Sequence, residues 1–147
     1  GFSAEDFAFS HPGGALGKRL LLKVSDVMHT GDKIPSVSLQ ASLSQALLEM
    51  TQKGLGMTTI VDDEKRLMGI FTDGDLRRTI DQGLDIREIQ IQDIMNTSPN
   101  TIGENTLAAE ALGIMEEKSI TSLVISDSQQ RAVGVVHLHD ILRSGIL

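Results

Sequence analysis

The chain of 147 residues contains no cysteine, no tryptophan and no tyrosine. Without a thiol there is no disulfide, no cysteine nucleophile and no cysteine-ligated zinc. With neither Trp nor Tyr and a formal charge of −7, it lacks the basic face and stacking aromatics of a nucleic-acid binder, so no nucleic-acid partner is expected. No apolar run reaches the roughly 18 residues of a membrane span and no signal peptide opens the chain, so the expectation is a cytoplasmic protein with no membrane partner. It begins at Gly1 rather than Met, which reads as a piece of something larger. What remains is 40% hydrophobic residues, enough for one ordinary domain or two small ones.

The most informative feature is internal repetition. Shifted by 65 residues, "ALLEMTQKGLGMTTIVDDEKRLMGIFTDGDLRR" (46–78) lies without a gap over "ALGIMEEKSITSLVISDSQQRAVGVVHLHDILR" (111–143). Ala46/Ala111, Leu47/Leu112, Met50/Met115, Lys53/Lys118, Ile60/Ile125, Asp62/Asp127, Arg66/Arg131, Gly69/Gly134, Asp75/Asp140 and Arg78/Arg143 are identical. Upstream, Asp26/Asp93 and Met28/Met95 match at a shift of 67, so the second copy is two residues shorter in its first loop.

Each copy predicts the same elements. "SDVM" and "QDIM" are short helical turns, and "IPSVS" and "NTIG" are brief extended pieces. "SLSQALLEMTQKG" places Leu43, Ala46, Leu47 and Met50 at helical spacing and stops at Gly54; "ENTLAAEALGIMEEKS" repeats it. "MTTIVDD" and "LMGIFT" form a hairpin around the charged turn "DEKR", as do "TSLVISD" and "AVGVVHL". A last helix follows each hairpin. One such unit of ~60 residues would be marginal alone, so the two should pack as one body.

The corner "GIFTDGDLRR" (69–78) sets Thr72, Asp73, Gly74 and Asp75 between strand and helix. Thr72 and Asp75 have capping-box spacing, and acids in a first turn suit the helix dipole, so the motif alone reads first as a cap. The same geometry offers free N–H groups and a hydroxyl to a phosphate, and a carboxylate to ribose hydroxyls. A calcium loop lacks its ligand pattern, and no nucleophile accompanies the acids.

A duplicated β-α-β-β-α unit ending in Gly-apolar-apolar-Thr-x-x-Asp resembles a pair of CBS domains, regulatory modules that bind nucleotides, over residues 24 to 147. The resemblance implies an α/β (α+β) fold of tandem CBS domains, with domain 1 at 23–84 and domain 2 at 85–147 behind a tail at 1–22. It turns the preference from cap to ligand: Thr72 and Asp75, with Asp73, would grip phosphate and ribose. The roof over the base would come from Pro35, Ser36, Val37, Met57 and Thr58. The second copy departs from the pattern, with His137 at the Thr72 position, His139 at the Gly74 position, and Asp140 kept. His137, His139 and Asp140 would then form a modified cleft wall. A metal there lacks a third ligand at matching spacing, so none is expected.

The tail-and-start stretch "FSAEDFAFSHPGGALGKRLLLKVSDVMHTGDKIP" resembles the junction between isomerase domain and CBS pair in bacterial arabinose 5-phosphate isomerases. Those enzymes feed synthesis of the lipopolysaccharide sugar Kdo. The resemblance places a proposed active-site role on His11, in a site incomplete in this chain, which is therefore expected to be inactive alone. It implies a regulatory half that needs no cofactor and senses a nucleotide or nucleotide-sugar, with CMP-Kdo as the suggested end-product ligand. Its partners would be its own isomerase domain and a second CBS pair in a homodimer, with a tetramer as an option for the parent. Rival readings are an oligomerisation module with vestigial clefts, an adenine-nucleotide sensor, and an enzyme using His11, His137 and His139.

Overall fold

The doubled pattern folds as two copies of one unit in the computed structural model, which describes residues 21–145. In the first, β1 (Ser36–Ser38) leads to α1 (Leu43–Lys53), the hairpin β2 (Met57–Val61) and β3 (Leu67–Thr72), and α2 (Asp73–Asp81). The second contains β4 (Thr101–Ile102), α3 (Ala108–Lys118), β5 (Ser122–Ser126), β6 (Ala132–His137) and α4 (Leu138–Arg143). β2 and β5 are the central strands of two three-stranded sheets, parallel to the short first strand and antiparallel to the third. A parallel neighbour requires a crossover, which α1 and α3 supply.

Local chemistry fixes the boundaries. Ser42 caps α1 by accepting the Gln45 N–H at 3.1 Å, while the Gln45 side chain accepts the Ser42 N–H at 2.8 Å. α1 stops at Gly54 with φ 70°, the left-handed conformation glycine adopts freely. The hairpins turn on Asp62 and Asp127, whose Oδ1 atoms each accept two backbone N–H groups of the turn. All five residues of β2 are buried. Helix α1 covers one of its faces, where Ile60 joins Leu43, Ala46 and Met50, and the other sheet covers its second face, where Met57 meets Val124 and Val135.

The lead-in turns are exchanged between the units. Val24, in the turn Val24–Asp26, is buried among Ala108, Ala111, Val136 and Ile141 of the second unit. Ile91, in the turn Ile91–Asp93, is buried among Leu43, Ala46 and Phe71 of the first. Backbone bonds seal both exchanges: Val24 N–H to Thr106 O (2.8 Å) and Ala108 N–H to Leu22 O (2.7 Å) match Ile91 N–H to Ala41 O (3.0 Å) and Leu43 N–H to Ile89 O (2.9 Å). Chain order alone divides the units at 84/85, yet each core takes a piece from across that line. The following residues then bridge to the far sheet, His29 to Val135 and Asn96 to Ile70. Met28 and Met95 lie over Gly134 and Gly69; a Cβ at Gly69 would stand 2.7 Å from the Asn96 carbonyl. The repeated glycine is the gap that lets the other unit's segment approach.

Candidate functional site

Thr72 closes β3 in extended conformation and caps α2. Its hydroxyl accepts the Asp75 N–H at 3.2 Å and donates to Asp75 Oδ2 at 3.0 Å, while its own N–H donates to that oxygen at 2.9 Å. The remaining oxygen, Oδ1, is met by the guanidinium of Arg78, whose side chain is 69% exposed. The capping reading of the motif is thus fulfilled, and its outer carboxylate oxygen is held only by an arm extended into solvent.

This corner faces a cleft of about 470 Å³ between the two repeats, a volume typical of small-molecule sites. Thr72, Asp73, Gly74, Asp75 and Arg78 form one wall, with Met57 and Ile70 beside them. The rest comes from the other repeat and its lead-in: Asn96, Asn100, Lys118, the run Ser119–Ser122, and His137. Lys118 and Arg78 bring positive charge to a cleft that also holds two aspartates, and Ser119 takes φ 55° where the first repeat has Gly54.

Of the residues expected from the sequence, Thr72, Asp73, Asp75, Met57 and His137 line this cleft together. Of the roof expected from the first repeat, Met57 lines this cleft, while Pro35, Ser36, Val37 and Thr58 do not. The Pro35 carbonyl accepts both the N–H (3.0 Å) and the hydroxyl (2.7 Å) of Thr59. The Ser36 N–H donates to Glu49 at 2.9 Å, and its side lines a different hollow with Lys53 and Lys65. Val37 packs beside the first core, and Thr58 is fully buried with its hydroxyl on the Thr59 carbonyl. The physical reason is that the Thr72 corner looks across at the second repeat, at its lead-in (Asn96, Asn100) and at the turn from α3 into β5. Asn96, Asn100 and Lys118–Ser122 were missed for that reason, although laying "KSITS" over "KGLGM" marks Lys118–Ser122 as the twin of a stretch that includes Met57. His11 lies outside the described residues.

The second corner is wired differently. His137 Nδ1 accepts the His139 N–H at 3.1 Å, and the two rings meet edge to face with centroids 4.7 Å apart. A ring nitrogen used as acceptor leaves the proton on Nε2, making His137 a donor on the cleft wall. Burial holds the His137 pKa below its ordinary value, and the nearby His139 reinforces this against the opposing pull of Asp140. Asp140 accepts the His137 N–H at 2.8 Å and contacts His29 Nε2 at 3.0 Å; His29 is a residue the sequence did not flag. His139 is exposed. Among the described residues, no group of three or more potential ligands is placed to hold a metal, and no helix is long and apolar enough to cross a membrane.

Comparison with known proteins adds to this geometry. The family model described as CBS domain matches residues 24–82 and 91–146. The chain is 56% identical over 147 residues to arabinose 5-phosphate isomerase KdsD of Pseudomonas aeruginosa and 54% identical to that of Escherichia coli K12. All of this chain is matched in both, but it spans only 45% and 44% of their lengths. Among solved structures, an uncharacterized conserved protein from Pyrococcus horikoshii superposes with TM-score 0.76 at 27% identity, covering 86% of this chain and 93% of that one. CBSX2 in complex with AMP superposes with TM-score 0.74 at 22% identity (85% and 96% covered). The CBS domain pair of MJ0100, in complex with 5′-methylthioadenosine and S-adenosyl-L-methionine, does so with TM-score 0.74 at 23% identity (84% and 94%).

Proposed function

Because the chain belongs to the CBS-domain family, we propose that it is the nucleotide-sensing regulatory part of an arabinose 5-phosphate isomerase, holding its ligand in the cleft headed by Thr72 and Asp75. The observation that carries this is the composition of that cleft: a capped helix start from one repeat faces Lys118 and Ser119–Ser122 of the other. A ligand there touches both units at once, so its binding energy bears on how they pack.

Each residue has a role that its chemistry supports. The Thr72 hydroxyl and the first N–H groups of α2 suit a phosphate, with Arg78 and Lys118 as counter-charges. When Arg78 turns to the phosphate, Asp75 Oδ1 is released to accept the two ribose hydroxyls. Asp73 sits at the rim, Met57, Ile70, Ile120 and Val124 offer an apolar seat for the base, and His137 offers an N–H donor.

Two ligands compete within this reading. The neighbours carrying AMP and 5′-methylthioadenosine favour an adenine nucleotide. The name of the relatives favours CMP-Kdo, a nucleotide-sugar that would report the end of Kdo and lipopolysaccharide synthesis. In this reading the protein is cytoplasmic, needs no cofactor, and leaves catalysis to the isomerase domain in the remaining length of the parent, where His11 would act. Calorimetric titration of the chain with CMP-Kdo, CMP, AMP and ATP tests it. Binding by one of them, weakened in Asp75→Ala, is expected; silence from all four rejects it.

A specific observation favours an assembly role beside the sensor. Leu48 of α1, Ile80 of α2 and Leu142 of α4 are 60%, 53% and 41% exposed. Apolar side chains on outer helices suit a homodimer through the CBS pairs, and a tetramer of the parent. Light scattering on the ligand-free chain would show the dimer; a strict monomer removes this role.

A further inference from the structure

We infer that His29 latches the second corner shut: the side chain at the end of the chain's own lead-in segment occupies the Asp140 carboxylate that a ligand would need there, so the His29–Asp140 bond and occupancy of that corner exclude each other. The inference rests on the nucleotide reading for the kind of ligand, but not for the latch.

Asp140 stands at the repeat position of Asp75, and both carboxylates accept the backbone N–H of the residue three before them, at 2.8 and 2.9 Å. Beyond that the two differ. Among the described residues, Asp75 Oδ1 meets only Arg78 of its own helix. Both oxygens of Asp140 lie 3.0 Å from Nε2 of His29, 111 residues upstream, and its neighbour Arg143 stays 3.9 Å away. An ionised carboxylate only accepts, so His29 Nε2 is the donor. The Asp140 side chain is 11% exposed and that of His29 29%.

The backbone beneath is the same in both repeats, which isolates the side chain as the cause. His29 exchanges N–H···O bonds with Val135 at 2.8 and 3.0 Å, as Asn96 does with Ile70 at 2.8 and 3.0 Å. Asn96 then folds back, its Oδ1 accepting the Ser98 N–H at 2.9 Å, and leaves its cleft open. The histidine ring extends further from the same backbone position and reaches the carboxylate. His29 also follows directly on the turn Val24–Asp26, which is seated in the second repeat's core. A ligand that takes Asp140 from His29 therefore removes the side-chain tie at the end of that segment, and residues 1–20 lie immediately before it. The latch thus gives the second corner a route to whatever precedes the CBS pair.

The test uses the 147-residue chain, its His29→Asn variant (which copies Asn96) and its His29→Gln variant, which keeps an N–H donor of similar reach. Without ligand, hydrogen exchange of the His29 and Val135 amides should quicken about tenfold in His29→Asn, recover toward the wild-type rate in His29→Gln, and stay unchanged for Ile70 and Asn96. Equal exchange in all three chains overturns the latch. In calorimetry with AMP, the wild type should show one site per chain and His29→Asn a second. Two sites in the wild type, or one in both chains, overturns the exclusion. Faster exchange in His29→Asn with no AMP binding by any chain supports the latch and counts instead against an AMP ligand.

Discussion

At the end of β3, Thr72 presents a hydroxyl to its aspartate; at the end of β6, His137 presents a ring whose nitrogen is turned to the His139 N–H. Backbone, register and the aspartate are shared, since Met57 pairs with Thr72 as Ser122 pairs with His137. Duplication supplied the same corner twice, and four positions then separated the copies: Thr72/His137, Asp73/Leu138, Gly74/His139 and, from across the molecule, Asn96/His29. The first corner opens on a cleft with cations on both sides. The second has its carboxylate bonded from within. Symmetric folding and asymmetric chemistry are therefore independent in this molecule, and each can be broken without the other.

The largest effect should come from the folding side. Gly69→Ala sets a methyl against a backbone carbonyl, that of Asn96, which cannot move without breaking the Ile70–Asn96 pair. Gly134→Ala meets the Met28 side chain first, its three nearest atoms all belonging to that flexible thioether, which can swing away. Gly69→Ala is expected to cost about 3 kcal/mol and Gly134→Ala about 1 kcal/mol. Urea unfolding of both variants checks this, and equal losses would show that the two lead-in segments are held alike.

Next in size is a binding effect. Asp75→Ala removes the carboxylate oxygen that Arg78 would release to the ligand and half of the α2 cap, so nucleotide affinity should fall about 30-fold, or about 2 kcal/mol. Asp140→Ala should leave the first cleft's affinity within about twofold. Calorimetry with the tightest-binding nucleotide decides; the reverse order would mean that the second corner is the working one.

Much of this was legible in the sequence because repetition, helical spacing and turn residues act locally. The 65-residue shift found both hairpins and both long helices, and Gly54 fixed the end of α1. Thr72 and Asp75 were legible as a corner because a cap is a contact between residues three apart. What escaped was everything that crosses the molecule. The partners of Thr72 come from 24 to 65 residues away in the chain, at Asn96 and His137. Of the expected roof, Met57 lines the cleft, while Pro35, Ser36 and Thr58 have polar groups engaged within the first sheet or with α1, and Val37 packs on the first core. No local pattern marks His29, because its partner is 111 residues away.

A smaller effect tests the two helix stops. Gly54 ends α1 at φ 70° and Ser119 ends α3 at φ 55°, a region that costs a residue with a Cβ. Ser119→Gly is expected to raise stability by about 0.5 to 1 kcal/mol, measured by the shift of the urea midpoint. Because Ser119 also lines the cleft, nucleotide affinity should be read in the same variant. A gain in stability with a loss of affinity would mean that the second repeat keeps a strained stop for the sake of the site.

The smallest effect concerns pH and belongs to His137. In the fold its pKa lies below the ordinary histidine value of 6.5, first because it is buried and then because His139 lies close; Arg143 and His29 act in the same direction, and Asp140 opposes them. The unfolded chain therefore binds a proton at this residue more readily than the folded one. Its contribution to stability is present above about pH 6.5 and is lost as the pH falls through the folded value. His137→Thr, which copies Thr72, removes that titration and should flatten the fall in the urea midpoint between pH 7.5 and 5.5. Every other side chain is common to both chains, so the difference between the two profiles isolates His137. An identical fall in both would place the acid sensitivity elsewhere and leave His137 as a cleft wall whose charge state does not matter to folding.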